Sequence, residues 1–236
     1  MPANISNRIA PTPAEISPIA AGDFSTWLAH ARAALIDGEG TNVACGDCVG
    51  CCSSSYFIHV RPAESRVLPR LARELLAPAP GMGGGDRVLG YDARGRCPML
   101  SEHGCAIYAD RPRTCRAYDC RLFAAVGILA GGDDKAAINQ RIARWQFAYP
   151  SARDRQQARA VKAAATFIRT HAKDFPGGRV PTNPSQLAVL AIKVYAVFLD
   201  DDGRAPPTRA SASALAQAVI AASRRFDAAL AECSAP

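Results

Sequence analysis

Cys45-Gly46-Asp47-Cys48-Val49-Gly50-Cys51-Cys52 contains four cysteines, two glycines and no hydrophobic period. A stretch of this kind cannot fold around its own apolar side chains, so it reads as a loop wrapped around something else. The C-x-x-C spacing has a physical basis. A tight turn brings two sulfurs to one metal while nearby backbone N–H groups point at the thiolates and stabilise their charge.

Four more cysteines, Cys97, Cys105, Cys115 and Cys120, follow about 45 residues later, and the ninth, Cys233, lies near the end of the sequence and reads as a spare. Zinc and iron–sulfur clusters both use C-x-x-C. Cys45, Cys48 and Cys51 have the spacing by which one loop supplies three ligands to a [4Fe–4S] cluster, and Cys97, followed by Pro98, is a candidate fourth. Adjacent Cys51 and Cys52 leave the backbone in divergent directions, so both on one tetrahedral ion would strain the peptide. Eight thiols therefore suggest two linked sites or one multinuclear site.

Two zinc sites of four thiolates each would carry a total charge of about −4, and a [4Fe–4S] cluster on four thiolates about −2. Such a site needs positive neighbours. Arg111, Arg113, Arg116 and Arg121 are interleaved with Cys115 and Cys120. His103, two residues before Cys105, is a weaker candidate for assisting a ligand.

Working outward, the 236 residues suffice for a core of their own, and 49% hydrophobic with 21% charged residues fits a globular protein. No run of about 20 apolar residues spans a bilayer, and residues 1–21 lack the order of a signal peptide, which places the chain in the cytoplasm. In that reducing compartment clustered thiols point to metal or redox chemistry rather than to disulfides. The net charge is +7, with 24 Arg and 4 Lys, but the basic residues are spread along the chain without a run, which argues against nucleic acid as the partner.

The expected fold class is mainly α: a helical protein with an irregular, loop-rich cysteine-cluster module and at most two or three short strands. Residues 1–40 form an N-terminal lead-in, extended to residue 22, and then a helix capped by Asp23 with Phe24, Trp27, Leu28, Ala31 and Leu35 on one face. Residues 41–125 form the module, with strands at 56–60 and 87–91. A helix starting at Pro62 carries Val67, Leu68, Leu71 and Leu75 and is kinked or shortened by Pro69. A short helix starts near Asp110 and Pro112 and holds Cys115 and Cys120 on it or just after it. Residues 126–236 form a helical half packed with the module as one compact unit, with helices at 134–147, 151–172, 184–199 and 211–231. Ser151 and Asp154 are a relative of the capping box.

Together, Cys45-x-x-Cys48-x-x-Cys51-Cys52, Cys97-Pro98-Met99-Leu100, Gly104-Cys105-Ala106-Ile107-Tyr108, Arg111-Pro112, Cys115-Arg116 and Cys120 resemble the CxxCxxCC family, the YkgJ-like zinc- or iron-chelating proteins. The match covers residues 41–122. Flagellin lysine methylases carry a similar cysteine cluster. The resemblance implies that the eight cysteines are metal ligands, with Tyr108, Arg111 and Arg116 supporting the cofactor. It implies an iron–sulfur cluster of [4Fe–4S] type or iron, with zinc as the alternative. The corresponding roles are an iron-dependent oxidoreductase or a protein- or peptide-modifying enzyme acting on a protein or peptide partner, or else a structural zinc module serving interaction. A C-x-x-x-C-x-x-C radical motif is absent, since Ser55 stands where its third cysteine would be, and the Gly81 to Gly85 stretch reads as a linker rather than a phosphate cradle.

Overall fold

The computed structural model describes residues 17–37, 40, 41, 43, 45–199 and 212–233. Its main core is helical. α1 (Phe24–Asp37) follows β1 (Ile19–Asp23) directly and buries Phe24, Trp27, Leu28 and Ala31 at the spacing the sequence shows. α5 (Ala152–Thr170), α6 (Pro184–Val194) and α7 (Ala212–Cys233) complete this core, with Ala160, Val161, Ala164 and Ile168 facing Ala188, Ala191 and Ile192. Alanines at these positions let the helix axes come close.

Asp154 joins two of these helices. Its Oδ2 accepts from the Ser151 amide at 2.9 Å while Ser151 Oγ accepts from the Asp154 amide, which completes the capping box of α5. Its Oδ1 accepts from the Ser25 amide at 2.8 Å, so the first turn of α1 finds an acceptor from across the fold.

The module has its own small core of Val60, Val67, Leu71 and Leu89, against which Cys97, Met99 and Ile107 pack. β2 (Ile58–Val60), β3 (Leu76–Pro78) and β4 (Arg87–Leu89) form an antiparallel sheet in the order β2-β4-β3, and β5 (Leu100–Ser101) pairs with β6 (Gly104–Cys105) as a hairpin. α2 (Arg113–Ala117) lies on β2, where Thr114 Oγ1 donates to the His59 carbonyl at 2.7 Å.

A third cluster lies between module and helices. Cys120 and Phe123, at the start of α3 (Arg121–Val126), meet Ile138 and Ile142 of α4 (Ala136–Arg144). α3 also reaches the main core through Ala125 and Val126.

Four expectations change. The described residues contain seven short strands in three small sheets, not two or three strands. The lead-in to residue 22 contains β1, which runs parallel to β7 (Trp145–Ala148) more than 120 residues away. For the same reason the helix expected at 134–147 ends at Arg144: pairing with β1 supplies hydrogen bonds that a further helical turn would have made internally. The helix expected from Pro62 is replaced by 3-10 turns at Leu68–Arg70 and Arg73–Leu75, with Leu71 extended between them. Pro69 has no N–H to donate and disfavours helical backbone before it. Residues 1–16 lie outside the description. Among the described residues no helix is long and apolar enough to cross a membrane.

Candidate metal centre

The loop from Cys45 to Cys52 is held by short-range bonds and by one close approach. The Cys48 amide donates to the Cys45 carbonyl at 2.9 Å, and the Gly50 amide donates to Cys48 Sγ at 3.4 Å. Such N–H···S contacts stabilise a thiolate. Gly50 lies against α4 so closely that a Cβ there would stand 3.1 Å from the Ile138 Cα and 3.3 Å from the Ala137 carbonyl. Cys51 opens a 3-10 turn, Cys51–Ser53, and packs into the cluster around Cys120. Cys52 faces the module, its carbonyl accepting from the Cys97 amide at 2.7 Å.

The remaining thiols come from three module elements. Cys97 precedes β5, and its carbonyl accepts from the Leu100 amide at 3.0 Å. Cys105 lies on β6 opposite Leu100. Cys115 lies on α2, as the sequence predicts, and Cys120 stands immediately before α3.

Seven of the eight cysteines, Cys45, Cys48, Cys51, Cys52, Cys97, Cys105 and Cys115, line one cavity of about 140 Å³. Cys120 is buried just outside the lining, next to Cys51. The lining contains no histidine, aspartate or glutamate, and Arg111 is its one charged side chain. Soft sulfur donors without carboxylates suit zinc, iron–sulfur or other thiophilic centres and not magnesium or calcium. Among the described residues no three histidine, cysteine, aspartate or glutamate side chains are yet arranged to hold one ion, and none of the eight cysteines is in a disulfide.

Burial is the first cause that raises the pKa values of six of these thiols, and repulsion from neighbouring thiols adds to it. Cys52 and Cys115 are pushed up to about 12 and Cys120 to about 11, with Cys45, Cys51 and Cys97 also raised. These six metal-free thiols thus hold their protons at neutral pH, and a binding metal must displace them. Cys51 feels Cys120 most strongly among the thiols, whereas Cys52 feels Cys97 and then Cys105, and Cys115 feels Cys52, Cys97 and Cys105.

Arg111 opposes this repulsion at Cys45 and Cys115. Its guanidinium lies 4.0 Å from the Tyr108 ring centroid and donates to the Tyr108 carbonyl at 2.9 Å, while the Tyr108 hydroxyl accepts from the Cys45 amide at 3.4 Å. Both residues line the cavity. Arg116 acts one step further out, its guanidinium donating to the Arg111 carbonyl at 2.9 Å and so bracing the segment that carries Arg111. Arg113 and Arg121 are outside the cavity lining, and Arg121 is held by the buried carboxylate of Asp119. His103 is exposed on the β5–β6 turn and outside the lining. The side chain of Cys233 lies outside the description.

Sequence reading missed Arg141 and Trp145. Arg141 lies on α4 with its guanidinium 4.9 Å from the Trp145 ring centroid, and it lowers the thiol pKa values of Cys45 and Cys120. Trp145 Nε1 donates to Cys120 Sγ at 3.1 Å. Their i, i+4 spacing was the available signal, but nothing in the chain order says which thiols they meet.

No curated protein and no solved structure matches the chain. Residues 44–141 match the CxxCxxCC family model, described as "Putative zinc- or iron-chelating domain", and this match runs through α4 as far as Arg141, beyond the last cysteine of the cluster. The segment that carries all eight clustered cysteines is thus similar to the CxxCxxCC domain.

Proposed function

We propose that the CxxCxxCC domain holds an iron–sulfur or multinuclear iron centre on its clustered cysteines and that the protein works as an iron–sulfur oxidoreductase in the cytoplasm, on a protein or peptide partner. The observation that carries this reading is the convergence of seven thiols on one cavity with no oxygen or nitrogen ligand among its acids or histidines.

When bound, such a centre supplies one-electron chemistry. The chain's own residues supply the surroundings. Arg111 and Arg141 offset the thiolate charge, Trp145 and the Gly50 amide donate to sulfur, and Tyr108 orients Arg111. The cavity opens beside exposed Val49, Phe57 and Tyr108, an apolar and aromatic rim suited to a peptide or protein surface.

Protein purified without oxygen is expected to be brown and to contain iron together with acid-labile sulfide. Colourless protein carrying zinc and no sulfide overturns the iron reading and leaves the structural zinc module.

A further inference from the structure

We propose that the eight cysteines form two separate four-thiolate sites divided at the Cys51–Cys52 peptide bond: Cys45, Cys48, Cys51 and Cys120 hold one centre, and Cys52, Cys97, Cys105 and Cys115 hold the other. This rests on the metal-binding part of the function above and adds which thiols share a centre.

The division follows the packing. A 3-10 turn has about 3.0 residues per turn, so consecutive side chains on Cys51–Ser53 point about 120° apart. Cys51 packs with Cys120 in the cluster built by α3 and α4. Its loop is fixed to the same helix by Gly50 on Ile138 and by Asp47, which lies 3.8 Å from Arg141. Cys52 instead bonds through its carbonyl to Cys97, which packs on the module's core beneath β2 and β4. Cys105 pairs with Leu100, whose amide returns to the Cys97 carbonyl, and Cys115 is carried by α2 on β2. One set thus leans on the junction with the helices and the other on the module, on either side of the cavity that seven of the thiols line.

The first set keeps the C-x-x-C-x-x-C spacing suited to a cubane cluster and takes Cys120 rather than Cys97 as its fourth ligand. The second draws single thiols from a turn, a loop, a hairpin and a helix, an arrangement suited to one tetrahedral ion.

The full-length chain loaded with cadmium-113 tests the assignment by correlating each metal resonance with cysteine Hβ protons. Two resonances, each correlated with one of the two sets, are expected. One resonance, thiolates bridging both metals, or a set containing Cys97 with Cys48 overturns the division. In parallel, C48S and C120S are expected to lose the same one of two centres and C97S and C115S the other, by native mass spectrometry. Failure of the chain to bind any thiophilic metal would instead remove the functional reading itself, which separates the two outcomes.

Discussion

Trp145 Nε1 donates to Cys120 Sγ across 3.1 Å, tying the first residue of β7 to the thiol immediately before α3. The bond links the parallel β1–β7 pair to the cysteine cluster, because the register that sets Trp145 opposite Ile19 also sets its indole. Partners of this kind, one shell out from a metal ligand, typically contribute 10–100-fold in affinity, about 1.4–2.7 kcal/mol. Trp145→Phe keeps most of the ring contact and removes the donor. It is expected to speed metal loss to a competing chelator by about 10–100-fold, with helical circular dichroism unchanged. Unaltered chelation kinetics would remove Trp145 from the centre.

Removal of metal by a strong chelator is expected to lower Tm and raise protease sensitivity of the domain, because a site not preassembled in the metal-free chain makes binding energy part of folding energy. Cys48→Ser and Cys115→Ser are expected to lower bound metal and soluble yield. Cys233→Ser is expected to match wild type in metal content, measured by elemental analysis. Equal Tm with and without metal would contradict the coupling.

Gly50→Ala tests the fit of the cysteine loop on α4. The added methyl would stand 3.1 Å from a backbone atom of Ile138, and neither the loop nor the helix has a flexible end to yield. The expected cost is about 1–3 kcal/mol, read as a lower denaturant midpoint, together with reduced metal content since the same methyl lies 3.4 Å from Cys48 Sγ. A midpoint unchanged from wild type would show that the loop stands off the helix.

Asp119, with its side chain 1% exposed, accepts from Trp27 Nε1 at 3.0 Å and from Arg121 Nη2 at 2.8 Å. It ties α1 to the start of α3 next to Cys120. Asp119→Ala leaves an indole N–H and a largely buried guanidinium without their acceptor, a change that costs about 3–5 kcal/mol. Equilibrium urea unfolding measures it, and a loss under about 1 kcal/mol would show that solvent replaces the carboxylate.

Asp154 supplies a pH dependence. Hydrogen bonds from Ser151 and Ser25 hold its carboxyl well below the usual carboxylate range. Its contribution is fully present above the unfolded value of about pH 4 and is lost as pH falls below that toward the folded value. The gap in Tm between wild type and Asp154→Asn is therefore expected to be constant from about pH 5 to 7 and to close on acidification. Ser151→Ala, which removes only the reciprocal cap, is expected to cost about 1 kcal/mol. A gap that widens in acid would reverse the assigned sign.

Sequence reading made the cysteine loop, the capping box at Ser151, the apolar face of α1 and the Tyr108–Arg111 pair legible, because each is a local pattern: a spacing, a cap or a helical period acting within a few residues. The patterned cysteines by themselves also point to a soft, thiophilic metal. Tertiary structure alone decided that residues 145–148 leave helical periodicity to pair with β1. It likewise decided that Arg141 and Trp145 reach the thiols. Those outcomes depend on which distant backbone groups and side chains meet, and no local period records a contact between residues as far apart in the chain as Ile19 and Trp145.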